Sequence, residues 1–163
     1  MKKIIIAALS VIGLSGLYAC NNDINKVFDP EVPLVEFQPA VVNSNAVGRS
    51  YPILTLANSV TAGNTATVQV NLLGRKPGAD IPVRVLIDPA TTAPASSYTL
   101  SNGGVATFSA SAPNSNTAAV TMTVGRASSA TAPLTTVVLL IDSTSSSFRP
   151  SRNYMRIGYT FRN

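Results

Sequence analysis

The chain has 163 residues, 45% of them hydrophobic and only 12% charged, with a formal charge of +5, one cysteine, no histidine and no tryptophan. A single cysteine excludes an intrachain disulfide, and the lack of histidine excludes nucleophilic triads built on imidazole. Without Lys2 and Lys3, which belong to the leader described next, the charge is +3, a value that keeps a protein soluble and does not imply a nucleic-acid partner.

Residues 1–19 read as a leader. Met1-Lys2-Lys3 is a short positive start, residues 4–14 are apolar apart from Ser10 and Gly13, and Leu17-Tyr18-Ala19 stands before Cys20. This order describes a secretory signal peptide, and its apolar core is about half of what a bilayer-spanning helix needs. The lone cysteine at the expected cut resembles a bacterial lipobox, with Tyr18 where a smaller residue is usual. The resemblance implies acylation of Cys20, palmitate included, and an anchor in the membrane. Each buried methylene contributes about 0.8 kcal/mol, so several acyl chains hold where one holds only marginally. Residues 20–33, polar and carrying Pro30 and Pro33, form the tether, and residues 34–163 form the domain.

Short strands follow one another along that domain. Residues 34–37 make a strand that Pro39 stops. Residues 51–57 make a second, limited to a sheet edge by Pro52. Residues 65–73 alternate, with Val68, Val70 and Leu72 on one face and Gln69 and Asn71 on the other. Pro77-Gly78 is a turn pair, and Ile81, Val83, Val85 and Ile87 then share a face, which predicts a hairpin of 65–73 with 81–87. Residues 98–100 and 105–110 flank Asn102-Gly103, which favours a tight hairpin turn. Ala118, Val120, Met122 and Val124 point inward on the next strand. Residues 135–141 are apolar on both faces, as in a central, doubly covered strand. The last strand, 153–161, places Met155, Ile157, Tyr159 and Phe161 opposite Arg152, Tyr154 and Arg156. Seven or eight short strands with no helix beyond the leader predict an all-β, antiparallel, Ig-like β-sandwich.

Several phrases carry a family likeness. They are Val68-Gln69-Val70-Asn71-Leu72-Leu73-Gly74, Ala95-Ser96-Ser97-Tyr98-Thr99-Leu100, Val137-Val138-Leu139-Leu140 and Pro150-Ser151-Arg152-Asn153-Tyr154. With these the chain resembles uncharacterised Bacteroidota lipoproteins whose domain is similar to Calx-β and to the DUF4843 group. It departs from them at Ser96-Ser97, where glycine is usual, and in the sparseness of loop acids. The resemblance implies a Calx-β-like sandwich, a cell-envelope location at the outer membrane, and company with glycan-capture machinery.

Candidate sites are few. Ser–Lys chemistry would need Lys26 or Lys76, both in solvated stretches. Glu31, Glu36, Asp80, Asp88 and Asp142 form no recognisable pair for glycosidase chemistry. No enzyme is therefore expected, and no cofactor. Asp80, Asp88 and Asp142 would have to meet at one end of the sandwich to hold calcium, which takes six to eight oxygens; no metal site is expected. Arg149, Arg152, Arg156 and Arg162 cluster in the sequence, and on a strand Arg152, Tyr154 and Arg156 point the same way, a grip suited to sulfated or carboxylated sugars or to lipid headgroups, unless these charges serve only to keep an outer or edge strand soluble and unpaired. Asp142-Ser143-Thr144 matches a short pattern at which Bacteroidota O-glycosylate exported proteins, making Ser143 a modification candidate. The expected function is an accessory module for glycan or partner capture. The alternative is a structural subunit or spacer that adds a strand to a neighbour's sheet. A ligand cleft lined by Tyr51, Tyr98 or Tyr154 would favour the first, and a long unprotected edge strand the second.

Overall fold

The computed structural model describes residues 32–74, 78–112 and 116–163. The leader, Cys20, most of the tether, Lys76-Pro77 and the Pro113-Asn114 turn lie outside them. In chain order the described elements are β1 (Leu34–Phe37), a one-turn helix α1 (Gln38–Val42), β2 (Ile53–Thr55), β3 (Asn64–Leu73) and β4 (Ile81–Ile87). Then come β5 (Tyr98–Leu100), β6 (Val105–Phe108), β7 (Thr117–Val124), β8 (Leu134–Ile141), β9 (Arg149–Pro150) and β10 (Arg156–Arg162). Two single 3₁₀ turns, Ala95–Ser97 and Ser101–Gly104, flank β5.

The strands form two five-stranded sheets, β5-β7-β3-β1-β9 and β2-β10-β8-β4-β6. Pairing is antiparallel except at two rims, where β9 runs parallel to β1 and β2 parallel to β10. Alternating side chains fill the space between. Val68, Val70 and Leu72 of β3, Val120, Met122 and Val124 of β7, and Val137, Leu139 and Ile141 of β8 meet Ile157, Tyr159 and Phe161 of β10 in one core. Burying each such side chain contributes about 1.5–3 kcal/mol against the entropy of ordering it.

Proline shapes the first strand. Pro39 cannot extend the ladder but suits the first turn of a helix, so β1 ends at Phe37 and α1 begins. The chain then passes to the other sheet, where β2 lies on the rim that Pro52 permits. There Gly158 of β10 leaves space for Ile53; a Cβ at Gly158 would stand 2.9 Å from Ile53 Cγ1.

β8 is the middle strand of its sheet and is covered on both faces: Val137 and Leu139 are buried inside, Val138 outside. Where β4 ends, the following loop stays alongside β8. Asp88 N donates to Val138 O (2.8 Å), Val138 N donates to Thr91 Oγ1 (2.9 Å), and Thr92 N donates to Thr136 O (2.8 Å). Side-chain hydroxyls thus replace part of a strand ladder.

Two predicted hairpins are corrected. β3 and β4 do not pair: β3 lies between β7 and β1, and β4 lies between β8 and β6 in the opposite sheet. β5 and β6 are separated in the same way. Asn102 (φ 51°) and Gly103 (φ 61°) do take the left-handed backbone expected of them, and Gly104 (φ 82°) follows. The turn they make carries the chain across the core instead of folding it back. Alternation says which face of a strand is buried. It does not say whether the next strand lies beside it or about 10 Å away on the facing sheet.

Candidate functional site

The last strand starts later than expected, at Arg156, because residues 152–155 form a turn in which Tyr154 N donates to Ser151 O (3.1 Å). Arg152, Tyr154 and Arg156 therefore do not share a strand face, which corrects the sequence expectation. Arg152 is exposed, and Tyr154 packs partly buried against the core. Arg156 stands on the outer face of the second sheet, its Nε 3.0 Å from Asp88 Oδ2. Asp88 is 5% exposed and Arg156 45%. Arg149 sits on the β9 rim of the first sheet, and Arg162 ends β10 at the opposite pole from Arg156.

The three aspartates do not converge either. Asp80 precedes β4 and accepts from Ala110 N (2.8 Å), while Asp88 follows β4 and accepts from Ala90 N (2.8 Å). A strand of this length separates them by roughly 25 Å. Asp142 sits beside Arg84 of β4, its N donating to Arg84 O (2.9 Å). Among the described residues no three acidic, cysteine or histidine side chains come together. Asp142 Oδ1 instead accepts from Thr144 N (2.9 Å). Hydrogen bonds from the Thr144 backbone and side chain, with a smaller contribution from Arg84, hold its carboxyl below the usual range. That turn presents Ser143 in an exposed loop.

Tyr51, Tyr98 and Tyr154 line neither of the two depressions described below. Tyr51 is buried, and Tyr98 and Tyr154 pack partly buried on the core. Burial pushes the Tyr98 and Tyr159 phenols up, Tyr159 to about 12.

Two concavities lie elsewhere among the described residues. Leu34 pairs with Leu73 at one end of the first sheet, and Asn64 pairs with Val124 at the other. The ten residues of β3 put about 30 Å between those ends. At the far end lie two adjoining depressions of about 260 and 280 Å³ that share Phe161 and Arg162. Ser96, Ser97, Gly125, Arg126, Ser128 and Asn163 complete one; Thr55, Ala57, Asn58, Leu134 and Thr160 complete the other.

Hydrogen bonds between distant loops hold these walls. Asn58 Nδ2 donates to Gly125 O (2.8 Å) and Arg162 O (2.7 Å), and Asn58 Oδ1 accepts from Arg162 N (2.8 Å). Gly125 N donates to Ser97 O (3.1 Å), and Ser128 Oγ donates to Asn163 O (2.7 Å). The guanidinium of Arg162 is fixed by Nη1 donating to Ala132 O (2.7 Å). The exposed Arg126 has no hydrogen bond or ion pair among the described residues. Hydroxyls, an amide and two guanidinium groups therefore face solvent on a pre-formed framework, a set suited to binding a polar ligand and not to proton transfer at neutral pH. Of this end the sequence marked only Arg162, as one member of the arginine cluster; Asn58 lies 104 positions from it, and Arg126 reads as ordinary loop.

No protein-family model matches the chain, and no curated protein matches it in sequence. Solved structures do match its fold. The apo form of the Calx CBD1 domain aligns at a TM-score of 0.53 with 11% identity, over 81% of this chain and 97% of that one. A candidate carbohydrate-binding protein from Bacteroides ovatus aligns at 0.50 with 12% identity, over 80% of this chain and 37% of that one. EndoBT-3987 of Bacteroides thetaiotamicron, solved with a Man5GlcNAc product, aligns at 0.51 with 16% identity, over 78% of this chain and 30% of that one. The chain thus spans well under half the length of these two Bacteroides proteins. With Calx CBD1 matched along almost its whole length, the described domain is a Calx-β-like β-sandwich.

Proposed function

We propose that this chain is a non-enzymatic binding module of the bacterial cell envelope, of the Bacteroidota lipoprotein kind, anchored at the outer membrane through acylated Cys20. Its task is glycan capture at the loop end of the sandwich. One observation carries this reading. The polar depressions lie about 30 Å from Leu34, where the tether joins β1. A tether to Cys20 would therefore leave the domain at the end remote from the depressions, so the anchor point does not cover them. The likeness to a Bacteroides protein named for carbohydrate binding supports the same reading.

The alternative, strand addition to a neighbour, finds less support. The rim strands β2, β5, β6 and β9 hold three, three, four and two residues. Beyond β5 the exposed amide of Thr121 on β7 is taken by Ser101 Oγ (2.9 Å). Short, capped edges are what keeps sheets from joining. Within the same reading, Ser143 is the O-glycosylation site, in a loop where an enzyme can reach it.

The purified full chain on an array of neutral and acidic glycans tests the proposal: reproducible binding to one glycan class is the expected result, and a blank array sinks it. Protease shaving of intact and lysed cells reports the face: loss from intact cells supports outward capture, and loss only after lysis rules it out. An intact mass unshifted by sugar removes the Ser143 assignment.

A further inference from the structure

We propose that the loop end binds an acidic saccharide, one bearing a carboxylate or sulfate group, with Arg126 as the residue that receives the anion and Arg162 as its fixed neighbour. This rests on the glycan-capture reading above and names the ligand class.

The charge balance of the domain points there. The described residues contain four acids, and each is engaged away from this end. Asp80 accepts from Ala110 N, Asp142 from Thr144 N, Asp88 faces Arg156, and Glu36 takes a hydrogen bond from Asn71 on the outer face of the first sheet. No Asp or Glu side chain lines either depression, and the main-chain carboxyl of Asn163, which does line one, accepts from Ser128 N and Oγ and forms no ion pair with either arginine. Arg126 and Arg162 thus outnumber the negative charge beside them, and the balance at this end is positive.

The two arginines differ in a useful way. Arg162 gives one N–H to Ala132 O, which orients its planar fork and leaves the other donors available. Arg126 is exposed and spends no donor on the described protein. A carboxylate or sulfate accepts two parallel N–H bonds from such a fork, and charge-assisted bonds are about twice as strong as neutral ones.

The walls also argue against a neutral sugar. The one aromatic ring at the site, Phe161, is 1% exposed, so it offers no platform for the face of a pyranose. Uncharged hydroxyls would merely exchange hydrogen bonds with water for equivalent bonds to Ser96, Ser128 and the Asn163 side chain, a small net gain. A charged group changes that balance. The hydroxyl and amide side chains then serve to orient the ring that carries it.

Titration calorimetry on the purified full chain in detergent tests this with two probe pairs: heparin against its desulfated, re-acetylated form, and polygalacturonate against its methyl ester. Arg126→Ala and Arg126→Lys are compared with the wild type and with the double variant Arg152→Ala/Arg156→Ala. The acidic member of at least one pair should bind at least ~10-fold tighter than its neutral partner, and more weakly as salt rises. Arg126→Ala should lose about 10-fold in affinity, and Arg126→Lys should recover part of it. The double variant should bind as the wild type does. Equal affinity for the neutral and acidic members, or loss in the double variant with Arg126→Ala unaffected, overturns the assignment. If a neutral glycan binds regardless of Arg126, glycan capture survives and this inference does not. If no glycan of either charge binds, both fall. Because Arg126 is exposed and unbonded, its substitution leaves the fold intact, which an unchanged melting temperature verifies.

Discussion

Replacing Arg156 separates a structural role for this arginine from a ligand-binding one. Asp88 is 5% exposed, and its Oδ1 accepts from Ala90 N at 2.8 Å. Its Oδ2 has no hydrogen bond, only the ionic contact with Arg156 Nε at 3.0 Å. Arg156→Ala leaves that buried oxygen charged and unaccompanied. A stranded charged acceptor costs about 1–3 kcal/mol, and removing one partner of a fully buried pair about 3–5 kcal/mol. Arg156 is 45% exposed, so water reaches the gap and the lower range applies, about 2 kcal/mol. Asp88→Asn keeps the bond to Ala90 and frees Arg156 into solvent, at a cost of about 1 kcal/mol or less. The double variant should cost less than the two single ones added, with a coupling of about 1 kcal/mol. For a domain of this size a kilocalorie moves the melting temperature by about 3–5 °C, so Arg156→Ala should melt roughly 6–10 °C lower. Thermal and urea unfolding of all four proteins completes the cycle. The reasoning is refuted if Arg156→Ala unfolds at the wild-type midpoint, or if the two substitutions simply add.

Three further outcomes are expected. Glu36 is 8% exposed, and burial raises its carboxyl pKa more than the Asn71 bond lowers it. A raised carboxyl contributes stability below its unfolded value and loses it as pH rises through the folded one. Glu36→Gln should therefore be slightly more stable than wild type at neutral pH, by less than about 1 kcal/mol, and the gain should vanish on acidification; urea midpoints across pH measure it. Tyr159, raised to about 12 by burial, keeps its proton in the fold while an unfolded phenol loses it near pH 10. Stability should hold up to about pH 10 and fall by about 2–3 kcal/mol toward pH 12, and Tyr159→Phe should remove that alkaline component from the pH profile of urea midpoints. Gly158→Val puts a branched side chain where a Cβ alone would stand 2.9 Å from Ile53 Cγ1. It should cost about 1–3 kcal/mol and raise amide exchange in β2 first, whereas unchanged exchange there would contradict the packing described.

Much of the architecture was legible in the chain itself. The alternation in 65–73 and 117–124 named the residues that β3 and β7 bury, and the two-faced apolar run at 135–141 identified β8 as the middle of a sheet. Pro39 and Pro52 marked where β1 stops and why β2 stays at a rim. Asn102 and Gly103 took the left-handed backbone that their side chains, or lack of one, make inexpensive. These features depend on a residue and its near neighbours, so local sequence determines them.

Partner choice is different. A strand with one apolar face gains as much by facing another sheet across the core as by lying next to its sequence neighbour. Only the packing of the ten described strands settled that β3 and β4, and β5 and β6, belong to opposite sheets. The same holds for the arginines. Arg152, Tyr154 and Arg156 are adjacent in the chain, yet a turn separates them and Asp88, far away in sequence, takes Arg156. Arg126, Arg162 and Asn58 are scattered through the chain, yet they meet because β2, β7 and β10 end at the same pole and Asn58 bonds the loops to one another. Burial patterns are written residue by residue, whereas a site made where strands end exists only once the sheets have closed over their common core.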